Sequence, residues 1–65
     1  MIDDDQLAFL TELLKDAESC ARLTQWEEEF LADMRARVLL FGSDSRISDP
    51  QWTVLRRIEA KVYAT

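Results

Sequence analysis

The chain has 65 residues, 48% of them hydrophobic and 32% charged, with a formal net charge of -5. That balance fits one folded domain over residues 1–65 and excludes a disordered chain, while a single cysteine and the lack of histidine exclude an internal disulfide and a tetrahedral zinc site. The acidic balance argues against direct nucleic-acid binding, which needs a clustered basic face, and no run approaches the roughly 18 apolar residues of a membrane span.

The opening Met1-Ile2-Asp3-Asp4-Asp5 is acidic where a secretory signal would be basic. Together with the lone thiol it implies a cytoplasmic setting. The first helix is expected from about Asp4 to Ala21, because Leu7, Leu10, Leu14, Ala17 and Ala21 recur at three- and four-residue steps. Phe9, Leu13 and Cys20 widen that face, with Phe9 and Leu13 turned away from the Leu7–Leu14 line.

The second helix starts at a capping box, Thr24-Gln25-Trp26-Glu27, in which hydroxyl and carboxylate each accept from the other residue's backbone N–H. Trp26, Phe30, Met34, Val38 and Phe41 form its expected buried stripe, with Leu31 beside it. Gly42, the single glycine, stands where a left-handed stop belongs. Residues 42–47 form the one real loop. Ser48-Asp49-Pro50-Gln51 then gives a second capping box with proline in the first turn. Ile47 and Trp52 occupy the two positions of a hydrophobic staple, and Trp52, Leu55, Ile58 and Val62 carry the third buried face. Helices two and three share a plan: Leu31, Met34, Ala36, Arg37 and Val38 answer to Leu55, Ile58, Ala60, Lys61 and Val62. The expectation is an all-α three-helix unit, a helical hairpin plus an N-terminal helix, with Trp26, Phe30, Met34, Leu55 and Ile58 in its core. A domain of this size buries only about 60% of its unfolded surface, so self-association as a homodimer is expected.

Chemistry finds little support in these residues. Without histidine there is no usual base at neutral pH, and the serines and threonines have no base beside them in sequence. Cys20 reads as a small core residue. Asp44 and Asp49 lack the alternating ligands of a calcium loop and read as turn and cap. The chain is therefore expected to be non-enzymatic, with no catalytic, metal or cofactor site. Asp3-Asp4-Asp5 and Glu27-Glu28-Glu29 could imitate nucleic-acid phosphates. Both also sit in a first helical turn, where the macrodipole favours negative charge by about 0.3–1 kcal/mol per group.

The apolar surplus is the more informative feature. Leu39 and Leu40 lie within the apolar run Val38–Phe41, and Val54 and Tyr63 lie off the main stripe of helix three. Such a surplus on a small protein marks an interface. The expected partner-binding residues are Phe9, Leu13, Leu39, Leu40 and Tyr63, with Glu28 and Glu29 as charged rim.

The segment Leu23-Thr24-Gln25-Trp26-Glu27 with Phe30-Leu31 and Arg35, followed by Ile47-Ser48, Gln51, Leu55 and Ile58, resembles short helical modules of bacteriophage-encoded DNA-metabolism proteins. The overall type also resembles the small acidic inhibitors that phages make against host defences, such as anti-CRISPR proteins, and the length of 65 residues fits an inhibitor better than an accessory piece. The resemblance implies an inhibitor that sterically blocks a basic, nucleic-acid-handling host protein such as a CRISPR effector. A homodimerising accessory module of phage DNA metabolism is the alternative.

Overall fold

A computed structural model describes residues 2–64; Met1 of the acidic opening and Thr65 lie outside the described residues. Three α-helices, α1 (Asp4–Ala17), α2 (Gln25–Phe41) and α3 (Asp49–Val62), follow one another, with a 3-10 turn at Gly42–Asp44 and no strand among the described residues. The fold is all-α, as the capping and periodicity signals require.

Each helix starts at a complete capping box. Thr24 with Glu27 and Ser48 with Gln51 act as the sequence predicts. A third box, outside the two expected from sequence, opens α1: the Asp3 carboxylate accepts from the Gln6 N–H at 2.7 Å and the Gln6 side chain accepts from the Asp3 N–H at 3.0 Å. The first residue of the acidic run is thus a cap, and Asp4 and Asp5 fill the first turn behind it.

α1 ends at Ala17, four residues short of the expected Ala21. Beyond it, the N–H groups of Glu18, Ser19 and Cys20 donate to Lys15, Asp16 and Ala17, each only three residues back, so the helix tightens into turns. The stop is fixed from outside. The Arg35 guanidinium of α2 donates to the Leu14 carbonyl at 3.2 Å and pairs with Glu18 at 2.9 Å, satisfying the free end of α1. Cys20 therefore lies in this connection rather than within a helix, and it is half-buried.

At the other end of α2, Gly42 takes φ +53° while its N–H donates to the Val38 carbonyl. The backbone angle and not the space requires glycine, since a Cβ there would meet nothing within 4 Å. Gly42→Ala should therefore destabilise the protein by about 1–2 kcal/mol through strain alone. An unchanged urea midpoint would show that the turn relaxes without it.

The contacts set the helix directions. Phe9 of α1 faces Trp52 of α3, with ring centroids 6.2 Å apart, and Asp16 further along α1 accepts from the Tyr63 hydroxyl just beyond α3 at 2.6 Å. α1 and α3 therefore run parallel. α2 runs against both, since Glu27 at its start meets Lys61 near the end of α3. The Ile2 N–H donates to the Ser43 carbonyl at 3.0 Å, which ties the entry of α1 to the turn after α2. Buried Ser45 locks that turn by donating to the Gly42 carbonyl at 2.7 Å.

Ile2, Leu10, Leu13, Leu14, Ala17, Leu31, Met34, Leu55 and Ile58 form one core, with Leu7, Phe9, Leu23, Phe30, Val38, Ile47, Trp52, Val54 and Val62 packed around it. Met34, Leu55 and Ile58 are in that core as expected. Trp26 is not: it is 58% exposed and stacks on half-buried Phe30, centroids 5.6 Å apart. Phe41 is likewise exposed. Two stripes run along α2 and share Met34 and Val38. The aromatic one starts at Trp26, whereas the buried one runs through Glu27, Leu31, Met34 and Val38, about 100° round the helix. The accessible surface of 4527 Å² is close to the roughly 4,300 Å² typical of a folded monomer of 7.6 kDa. The chain thus exposes about as much surface as a folded monomer of its mass.

Candidate functional site

Because α1 and α3 are parallel and α2 opposes them, the bundle has two unlike ends. One gathers the C-terminus of α1, the N-terminus of α2 and the C-terminus of α3. The other gathers the C-terminus of α2 and the N-termini of α1 and α3.

The first end is tied together by polar contacts. Glu27 is buried, and one of its carboxylate oxygens accepts from the Lys61 ammonium at 2.7 Å and from the Thr24 N–H at 2.9 Å. The hydrogen bond from Lys61 is the main cause holding the Glu27 carboxyl below its ordinary range; the Thr24 N–H adds to it, and burial opposes both. The Tyr63 hydroxyl, donating to Asp16, is pushed up to about 12 by that bond and then by burial. A shallow cleft of about 440 Å³ lies between Cys20, Arg22, Lys61 and Tyr63. Cys20 at its edge has no histidine to activate it. Among the described residues no three His, Cys, Asp or Glu side chains gather closely enough to hold a metal ion.

The second end is different. Leu39, Leu40 and Phe41 close α2 at 80%, 76% and 57% exposure, although the core beneath them is complete. Successive helical residues step about 100° around the axis, so three in a row wrap the helix end and at most one can face inward. Beside Leu39, an apolar cleft of about 280 Å³ runs between α1 and α2, floored by Leu14 and Val38 and edged by Thr11, Lys15, Glu18 and Arg35. Asp3, Asp4, Asp5, Asp44 and Asp49 are all exposed at this end. α2 has no basic residue in its last turn to offset its carbonyl dipoles.

The expected partner-binding residues separate under this geometry. Leu39 and Leu40 are exposed and adjacent. Leu13 is fully buried, which corrects its assignment to a free surface: it faces the same interior as Leu10 and Leu14 because α1 is covered by both other helices. Phe9 is partly covered rather than free. It is half-buried against Trp52, and the Arg56 guanidinium lies over its ring at 4.7 Å from the centroid. Tyr63 is 48% exposed, but its hydroxyl is bound to Asp16 at the opposite end from Leu39. Glu28 and Glu29 are exposed near the start of α2, about 16 Å along the axis from Leu39 and Leu40. Phe41 belongs with the exposed pair and was missed, because its spacing from Val38 made it look like a continuation of the core stripe. Comparison with known protein families, curated proteins and solved structures finds no match.

Proposed function

We propose that this protein is a non-enzymatic, cytoplasmic binding module that acts by covering a surface of a protein partner. The observation that carries the reading is the exposed apolar run Leu39-Leu40-Phe41 on a chain whose core is already closed. Apolar side chains left outside a completed core commonly mark an interface. The finer form of the proposal follows the resemblance to small phage-encoded inhibitors. In that form the partner is a basic host protein that handles nucleic acid, a CRISPR effector for example, and binding blocks it sterically. Glu28 and Glu29 then act at a distance, steering the encounter with a basic partner without anchoring the complex.

The test joins two measurements on the pure protein and on the Leu39→Ser/Leu40→Ser variant. The expected result is a wild type that sediments as a monomer at high micromolar concentration and retains a bacterial host protein on an affinity column, with retention lost in the variant. A wild-type dimer that the variant splits into monomers would overturn the reading and favour a homodimerising accessory module. A monomer that retains nothing would overturn both.

A further inference from the structure

We infer that the bundle end formed by the C-terminus of α2 and the N-termini of α1 and α3 is the docking surface, and that its occupant is a basic amphipathic segment of a protein. The inference rests on the protein-binding reading above and adds the place and the chemistry of the partner. Two features meet at this end. Leu39, Leu40 and Phe41 present apolar surface, with the Leu14–Val38 cleft open beside Leu39. Asp3, Asp4, Asp5, Asp44 and Asp49 are exposed on the helix starts and the turn next to them. The Ile2–Ser43 hydrogen bond at 3.0 Å holds the acidic start of α1 against the turn that follows Phe41.

Charge selects the occupant. Duplex nucleic acid and an anionic membrane would both bring negative charge to these carboxylates. A second copy of the chain would bring the same five aspartates and its own net charge of -5. Like charges brought together oppose such pairings. The cations nearby are Lys15 and Arg35 at the cleft, Arg37 behind the turn and Arg46 after it; Arg35 and Arg37 are already paired with Glu18 and Asp33, which leaves the five aspartates in excess. A segment with apolar side chains on one side and Lys or Arg on the other satisfies both features: its apolar side covers Leu39–Phe41 and enters the cleft, and its basic side chains face the aspartates. Glu28 and Glu29 lie at the other end and touch nothing in this complex.

The probe is a synthetic amphipathic helix of leucine and lysine, with a leucine and glutamate helix of the same pattern as counter-probe. Binding to the full chain is followed by stopped-flow fluorescence at two salt concentrations. The lysine helix should bind and the glutamate helix should not. Leu39→Ser/Leu40→Ser should raise the dissociation rate by about tenfold or more, with little salt dependence. Asp4→Asn/Asp5→Asn, which spares the Asp3 cap, should raise it by about threefold at low salt. Glu28→Gln/Glu29→Gln removes the same charge from the other end and should slow association while leaving dissociation within about 1.5-fold of wild type. Circular dichroism confirms that each variant is folded. Equal effects of the two carboxylate pairs on dissociation would overturn the location while leaving protein binding standing. Tighter binding to duplex DNA or to phosphatidylserine vesicles than to the lysine helix would overturn the partner's chemistry. No binding of either helix, with the wild type sedimenting as a dimer, would overturn this inference and the binding reading together.

Discussion

Met34→Ala and Leu55→Ala are each expected to cost about 2–5 kcal/mol of stability, measured by urea unfolding. Both side chains are wholly inaccessible, and both sit where two helices must share one interior. A chain of 65 residues has roughly 3–10 kcal/mol in total, so either change should leave the protein largely unfolded on modest warming. Trp26→Ala is the informative contrast. Tryptophan is the largest side chain in the sequence, yet here it lies 58% exposed and rests on Phe30, so its loss should cost only about 1 kcal/mol. If Trp26→Ala proved as damaging as Leu55→Ala, the buried stripe of α2 would be the aromatic one after all and the helix would be rotated from its observed setting.

Glu27→Ala should be the costliest change among the charged residues, at about 2–3 kcal/mol. It removes the capping partner of Thr24 and a charged hydrogen bond to Lys61 together. Lys61→Met should cost less, about 1 kcal/mol, because Thr24 still satisfies the carboxylate and the methionine keeps the apolar stem packed. The pair also sets a pH response. The Glu27 carboxyl titrates below its ordinary value of 4.5 in the folded protein. Its contribution is therefore full above that value and is lost as pH falls through the lower folded-state value. Unfolding curves taken through the acid range should show wild type losing more stability than Glu27→Gln. Parallel pH profiles for the two proteins would remove Glu27 from the account.

The parts of this fold that were legible in the sequence are those governed by local chemistry. Thr24-x-x-Glu27 and Ser48-x-x-Gln51 name their own hydrogen bonds, and Gly42 names a backbone angle, so two helix starts and one helix stop could be placed without tertiary information. The end of α1 could not, because Arg35 supplies its cap from another helix, twenty-one residues ahead of Leu14. The stripe of α2 failed for a related reason. Trp26 and Phe41 outweigh Glu27 on any scale of hydrophobicity, and nothing local reveals that Lys61 will arrive to neutralise a buried carboxylate. The expected partner-binding residues divide along the same line. Leu39 and Leu40 could be judged from their consecutive positions alone, since a helix cannot turn a whole run inward. Phe9 and Leu13 depended on α3 packing along α1 in parallel, an arrangement the hairpin reading did not contain. Glu28 lies in the first turn of α2 as expected, and Glu29 falls just beyond it. That they lie at the far end from Leu39 follows only from the length of α2.

Amide chemical shifts of the isotopically labelled protein, followed as the leucine and lysine helix is added, test the central claim most directly. The account predicts that the shifts concentrate at Asp3–Asp5, at Thr11, Lys15 and Glu18 beside the cleft, at Val38–Asp44 and at Asp49, with Ser19–Arg22, Glu28, Glu29 and Tyr63 unmoved. Shifts centred on Ser19–Arg22 and Lys61–Tyr63, or spread evenly over every acidic residue of the chain, would contradict it.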